Sequence, residues 1–223
     1  NQKRLTSIGR EAFSGCTSLT ALDLTELRVA GVGAFAYCTS LETLTFSENT
    51  AISESMFLGC TNLRSLQYPG NSMASGAFNG CRRLSEITFT SQNFNGFGAL
   101  CLAGTGLRTV TLPAGTYSIG SGAFSDCTSL TSVVLSAGTH LIPGTEPAFD
   151  GCRKFTAFTV PAENTFHAEA DGVLYNKEMT ELVAVPYAKT SYSVPASVTS
   201  LAAGVFAGNT TLTEFDLSGF TSV

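Results

Sequence analysis

One arrangement of apolar and polar positions returns about every 22 residues along the chain. "EAFSGCTSLTALDL", "GAFAYCTSLETLTF", "SMFLGCTNLRSLQY", "GAFNGCRRLSEITF", "GAFSDCTSLTSVVL" and "PAFDGCRKFTAFTV" are copies of a single phrase. With the aromatic residue as anchor, the copies fall at Phe13, Phe35, Phe57, Phe78, Phe124, Phe149 and Phe206, and Cys101 takes the anchor place in an irregular copy. The spacings are 22, 22, 21, 23, 23 and 25, and then 57, a gap that holds one further, modified unit. Periods of this length mark solenoids, in which each unit buries its apolar face only against its neighbours.

The second half of the phrase, Leu-x-x-Leu-x-Leu, alternates apolar and polar residues and predicts a short strand. Leu41, Leu44 and Phe46 illustrate its three apolar columns. Residues recurring once per coil stack at the spacing of paired strands, about 4.8 Å, so each column becomes a ladder. The outward column is Asp23, Thr45, Gln67, Thr88, Thr111, Val134, Thr159 and Asp216. A second extended piece ends in Ile8, Ile52, Ile119 or Leu201, and the Ala-Phe-x-x-Cys that follows has room for about one helical turn. The expected class is an α/β repeat solenoid with a parallel sheet.

The cysteines form a ladder of their own: Cys16, Cys38, Cys60, Cys81, Cys127 and Cys152, with Gly104 and Asn209 in two other coils. A thiol is small and tolerates full burial, which suits a chain corner. With no CxxC pairs, neither a zinc site nor a disulfide framework is expected.

Composition narrows the function. Hydrophobic residues make up 43% of the 223 positions, ample for a core, while charged residues reach only 13%. A net charge of −5, with 12 Lys and Arg scattered along the chain, speaks against a nucleic-acid partner. No apolar run reaches the roughly 18 residues of a membrane span. Asn1 opens inside the repeat with no charged-then-apolar leader ahead of it, so no targeting signal is legible. The two histidines, His140 and His167, stand outside the regular phrases, and the sequence carries no Gly-x-Ser-x-Gly, phosphate loop or His-Glu-x-x-His. His167 with Glu169 and Asp171 reads as a solvated loop rather than a metal cluster. No enzyme activity, cofactor or metal is expected.

At "SIGREAFSGCTSL" and "SIGSGAFSDCTSL", joined to Leu-x-x-Leu-x-Leu, the chain resembles the leucine-rich repeats of the Bacteroides surface protein A type, which treponemal surface proteins share. The resemblance implies a horseshoe solenoid with its parallel sheet on the concave side. It also implies an extracellular or cell-surface bacterial protein with a binding or adhesive role. The whole of residues 1–223 is expected to form one solenoid of about nine coils, with a modified, hairpin-like coil at about 162–200 in which Leu182, Val183 and Val185 rejoin the main sheet. In the irregular coil around "SQNFNGFGALCLAGTG", Phe94 and Phe97 are expected to fill the interior.

Two surfaces are candidates for binding. The modified coil carries His167, Tyr175, Lys177, Tyr187, Lys189 and Tyr192, the densest set of aromatic and cationic groups in the chain. The sheet offers the outward Gln67, Thr88 and Thr111. The expected partner is a protein or glycan on a host or neighbouring cell, with end-to-end self-association as a further possibility. The alternative function is a spacer within a longer surface protein.

Overall fold

The computed structural model describes residues 5–48, 50–141, 148–190, 192, 194–206, 209–215 and 220. The strands of the Leu-x-x-Leu-x-Leu segments stack in parallel and in the register set by the repeat. Ala21–Leu24 pairs with Thr43–Phe46, Ser65–Tyr68 with Glu86–Phe89, and Ser132–Val134 lies between Thr109–Thr111 and Ala157–Thr159. Leu66 meets Ile87, and Val110 meets Val133 and then Phe158, so each column is an inward ladder. The second extended piece also stacks, Ser7–Ile8 on Val29–Ala30 and Gly96–Phe97 on Ser118–Ile119.

The third part of each coil overturns the α/β class. Among the described residues there is no helix, and the chain is a β-solenoid of stacked strands. The cause lies in the backbone on either side of each anchor. Residues two before and two after it take left-handed φ: +64° at Gly33 and +59° at Tyr37 around Phe35, +54° at Ser55 and +71° at Gly59 around Phe57. A right-handed helix cannot pass through such a pair. The N–H groups instead alternate in direction. Ala36 and Cys38 donate three residues back, to Gly33 and Phe35, whereas Gly33, Phe35 and Tyr37 donate to Glu54, Met56 and Leu58 of the next coil. Every second amide thus stitches one coil to its neighbour, and the corner meets its backbone hydrogen bonds without helix or sheet.

The anchor rings stack face to face, with centroids 5.3 Å apart for Phe13 and Phe35, 5.7 Å for Phe35 and Phe57, and 5.3 Å for Phe57 and Phe78. The ladder then meets a residue different from the expected one. Phe78 donates to the Cys101 carbonyl where Phe57 donates to that of Ala77, and the left-handed pair of this coil is Leu100 and Gly104. The anchor is therefore Leu102, and Cys101 sits one place earlier, in the column of Ala77 and Ala123. The corner ladder shifts with it: Thr105, not Gly104, occupies the cysteine place. Its hydroxyl donates to the Leu102 carbonyl at 2.8 Å and lies 3.2 Å from Cys127 Sγ. Only four residues separate Leu102 from Leu107, against five between Phe78 and Leu84, so this coil is one residue short at its corner.

The thiols do more than fill space. Cys38, Cys60, Cys81, Cys127 and Cys152 direct Sγ at the anchor carbonyl of the preceding coil, at 3.2, 3.3, 3.3, 3.2 and 3.0 Å. Each such carbonyl also takes the amide of its own turn, as Phe35 takes that of Cys38, so both lone pairs are used. Phe94 and Phe97 are buried as expected and fill the space beside Tyr68, Phe89 and Phe124.

The modified coil departs from its expected course. Val173–Asn176 pairs antiparallel with both His167–Ala170 and Glu181–Ala184, and Glu181–Ala184 pairs in parallel with Ser200–Leu201. The stretch around Leu182 therefore extends the second ladder, ending in Leu201, rather than rejoining the main sheet. This small sheet is buried on both faces. Leu174 and Val183 pack on the N-terminal core, while Val173, Tyr175 and Leu182 face a second core with Val198. A period-two strand with two apolar faces divides the interior in this way.

Candidate functional site

The outward column of the main sheet is built as the alternation predicts. In Ser65–Tyr68 the exposed Ser65 and Gln67 alternate with the buried Leu66 and Tyr68, and Gln67 stands beside Thr88 in register. Thr111 is exposed one coil further on, beside Val134. Gln67 and Thr88 are thus neighbours on an exposed polar face, and Thr111 is exposed at the corresponding place of the next coil, where the strand pairs onward to Val134 rather than back to Thr88. Asp216, at the far end of that column, lies outside the described residues.

The six candidates of the modified coil do not share a surface. His167 is buried, and its ring joins three segments: Nε2 accepts the Leu141 amide at 2.9 Å, and Nδ1 lies 3.3 Å from the Tyr175 carbonyl. An accepting Nε2 leaves the proton on Nδ1, which donates to Tyr175. Burial holds the pKa of His167 below its ordinary value, with the hydrogen bond to Tyr175 acting in the opposite direction. Asn164 fixes the approach, its Oδ1 accepting the amides of Phe166 and His167 at 2.9 and 2.8 Å.

Tyr175 is fully buried in the second core, and burial raises its phenol to about 12. Tyr192 packs partly into that core, 6.2 Å from the ring of Phe215. Tyr187 is half-buried with its hydroxyl 2.9 Å from that of Thr210. Lys189 pairs with Asp171 at 2.8 Å, and Lys177 is exposed but donates to the Asn164 carbonyl. Most of the set therefore works inward, joining the hairpin sheet of the modified coil to its neighbours.

Two surface features escape a reading of sequence alone. Tyr117 and Phe166 are exposed and flank His140, whose ring stacks on Phe166 at 4.2 Å; the three come from consecutive coils. The other is a cavity of about 590 Å³ at the corner of the short Leu102 coil, between Asn79 and Arg82 on one side and Ser125, Asp126 and Thr128 on the other. Its signal in the sequence is the missing residue between Thr105 and Leu107, hidden while Cys101 stands as the anchor.

Comparison with known proteins agrees with this geometry. Residues 1–94 and 70–170 match the family described as BspA type leucine rich repeat region, in six copies. No curated protein matches the sequence significantly. Among solved structures, a leucine-rich repeat protein from Eubacterium ventriosum superposes with TM-score 0.70 at 23% identity, over 82% of this chain and 50% of that one. One from Bacteroides ovatus gives TM-score 0.67 at 18% identity over 98% and 63%. A leucine rich cell surface protein from Faecalibacterium prausnitzii gives 0.60 at 20% over 98% and 66%. At these identities the likeness is one of fold. The chain spans less than two thirds of the length of each of the three.

Proposed function

The chain belongs to the BspA type leucine-rich repeat family, and from that premise we propose that it is a non-enzymatic binding module of a bacterial surface protein, meeting a host or neighbouring cell through its main sheet. The observation that carries this is the exposure of Gln67 and Thr88, paired in register, and of Thr111 on the strand of the next coil, above the buried ladders. A solenoid face of this kind offers a long, rigid surface whose contacts are ordered before a partner arrives. The cell-surface description of the Faecalibacterium structure supports the location. The inward use of His167 and Tyr175 supports binding rather than catalysis, since those groups serve the fold.

The test is saturable capture of the labelled protein by host cells or extracellular matrix. Replacing Gln67, Thr88 and Thr111 together with Glu is expected to reduce capture at least tenfold while melting stays within a few degrees. Undiminished capture by a folded triple variant overturns the assignment to the sheet. If the wild-type protein shows no saturable capture on any surface tried, the second reading, a spacer within a longer protein, takes its place.

A further inference from the structure

We propose that the corner notch of the Leu102 coil is a binding subsite for an acidic sugar, one bearing a carboxylate or sulfate; this rests on the reading of the chain as a binding module. The notch has a structural cause. In the left-handed column that follows the anchors, side chains lean over the glycine of the next coil. A Cβ placed on Gly59 would lie 2.7 Å from Tyr37 Cδ1, and one on Gly151 would lie 2.4 Å from Asp126 Oδ1. Between those two covered positions stand Gly80 and Gly104, with only backbone of the preceding coil within 4 Å of a Cβ on either. The residue missing from the Leu102 coil deepens this furrow into the cavity of about 590 Å³, within the usual range of ligand pockets.

The lining mixes polar and apolar groups and holds one cation, Arg82, and one anion, Asp126. Arg82 forms one wall, and Asn79, Ser125, Thr128 and Ser129 supply amide and hydroxyl groups. Among the described residues the Arg82 guanidinium pairs with no carboxylate. The opposing Asp126 leans over Gly151, toward the Phe149 coil and away from Gly104. A planar guanidinium with free donors matches the paired oxygens of a carboxylate or sulfate. The hydroxyl and amide groups around it suit the ring hydroxyls of a sugar. Tyr37, 53% exposed, closes the furrow with an aromatic ring on which a further sugar can stack. The net charge of −5 disfavours a long polyanion such as nucleic acid, and the cation that would recognise a single acidic group at the notch is Arg82.

Calorimetry with three purified hexasaccharides tests this: heparin-derived, hexagalacturonate and maltohexaose. The wild-type protein is expected to bind one or both of the acidic probes and not the neutral one. Binding of heparin alone assigns the sulfate, and binding of both assigns the carboxylate. Arg82→Ala and Gly80→Asn are each expected to weaken binding at least tenfold. Asn tolerates the left-handed φ of +74° at Gly80, and it can lie over Gly104 as Tyr37 lies over Gly59, filling the notch without unfolding the coil. Arg153→Ala removes the arginine of the same column three coils on and should change affinity less than twofold. The proposal is overturned if neither acidic probe binds, if Arg153→Ala costs as much as Arg82→Ala, or if Gly80→Asn melts normally and binds fully. Those results leave capture through the main sheet untouched, so the two readings fail separately.

Discussion

The ring of Tyr37 lies over Gly59 of the following coil, in the space a β-carbon there would occupy: Cδ1 is 2.7 Å from that position. Both residues have left-handed φ, +59° and +71°, and they stand in one column of the corner. The same relation joins Leu100 to Gly122 and Asp126 to Gly151. In each case the absence of a β-carbon on the glycine leaves room for the side chain of the preceding coil.

Gly59→Ala should therefore cost more than Gly80→Ala, although both put a β-carbon at left-handed φ. Each bears a strain of roughly 1–2 kcal/mol. Only the first must also displace a ring, since a Cβ on Gly80 would have its nearest neighbour at 3.7 Å. In a Tyr37→Gly background the extra cost at Gly59 should disappear, a coupling of about 1 kcal/mol measurable by chemical denaturation of the four variants. Additive effects would show that the contact carries no energy.

The register of the irregular coil predicts opposite results for adjacent residues. Cys101→Ala places alanine in a column already holding Ala77 and Ala123, and should cost under about 1 kcal/mol. Leu102→Ala empties the anchor place and should cost about 2–5 kcal/mol. Urea midpoints decide it, and the reverse order would restore Cys101 as the anchor.

All seven cysteines are free; six are buried and Cys16 is exposed. Burial raises the Cys60 thiol to about 12, which removes its thiolate at neutral pH. A thiol reagent should thus label one cysteine in the native protein and seven after denaturation. Two or more fast-reacting native thiols would mean that the corner ladder opens.

His167 makes stability pH-dependent with a definite sign. Its pKa is lowered on folding from an ordinary 6.5, so the unfolded chain binds the proton more readily. The stabilisation is complete above the unfolded value and is lost as pH falls below about 6.5, down through the folded pKa. Melting temperature should fall between pH 6.5 and 5. His167→Gln keeps an acceptor for the Leu141 amide without titrating, and its slope over that window should be shallower. Equal slopes would assign the dependence to other groups.

The period, the parallel strands, their register and the inward Leu, Phe and Cys ladders were legible in the sequence, because each follows from a local alternation repeated once per coil. The outward placing of Gln67, Thr88 and Thr111 follows from the same alternation. What remained hidden depends on distances between coils. Ala-Phe-x-x-Cys has the length of a helical turn, and only the neighbouring coil, whose carbonyls take every second amide, selects the left-handed pairs that exclude a helix. The identity of Leu102 as anchor, the single residue missing beside it and the notch that results were masked by a cysteine in the adjoining position. Likewise His167, Tyr175 and Tyr192 have the chemistry of a binding surface, and it is the packing around the hairpin sheet, whose middle strand is buried on both faces, that draws them inside.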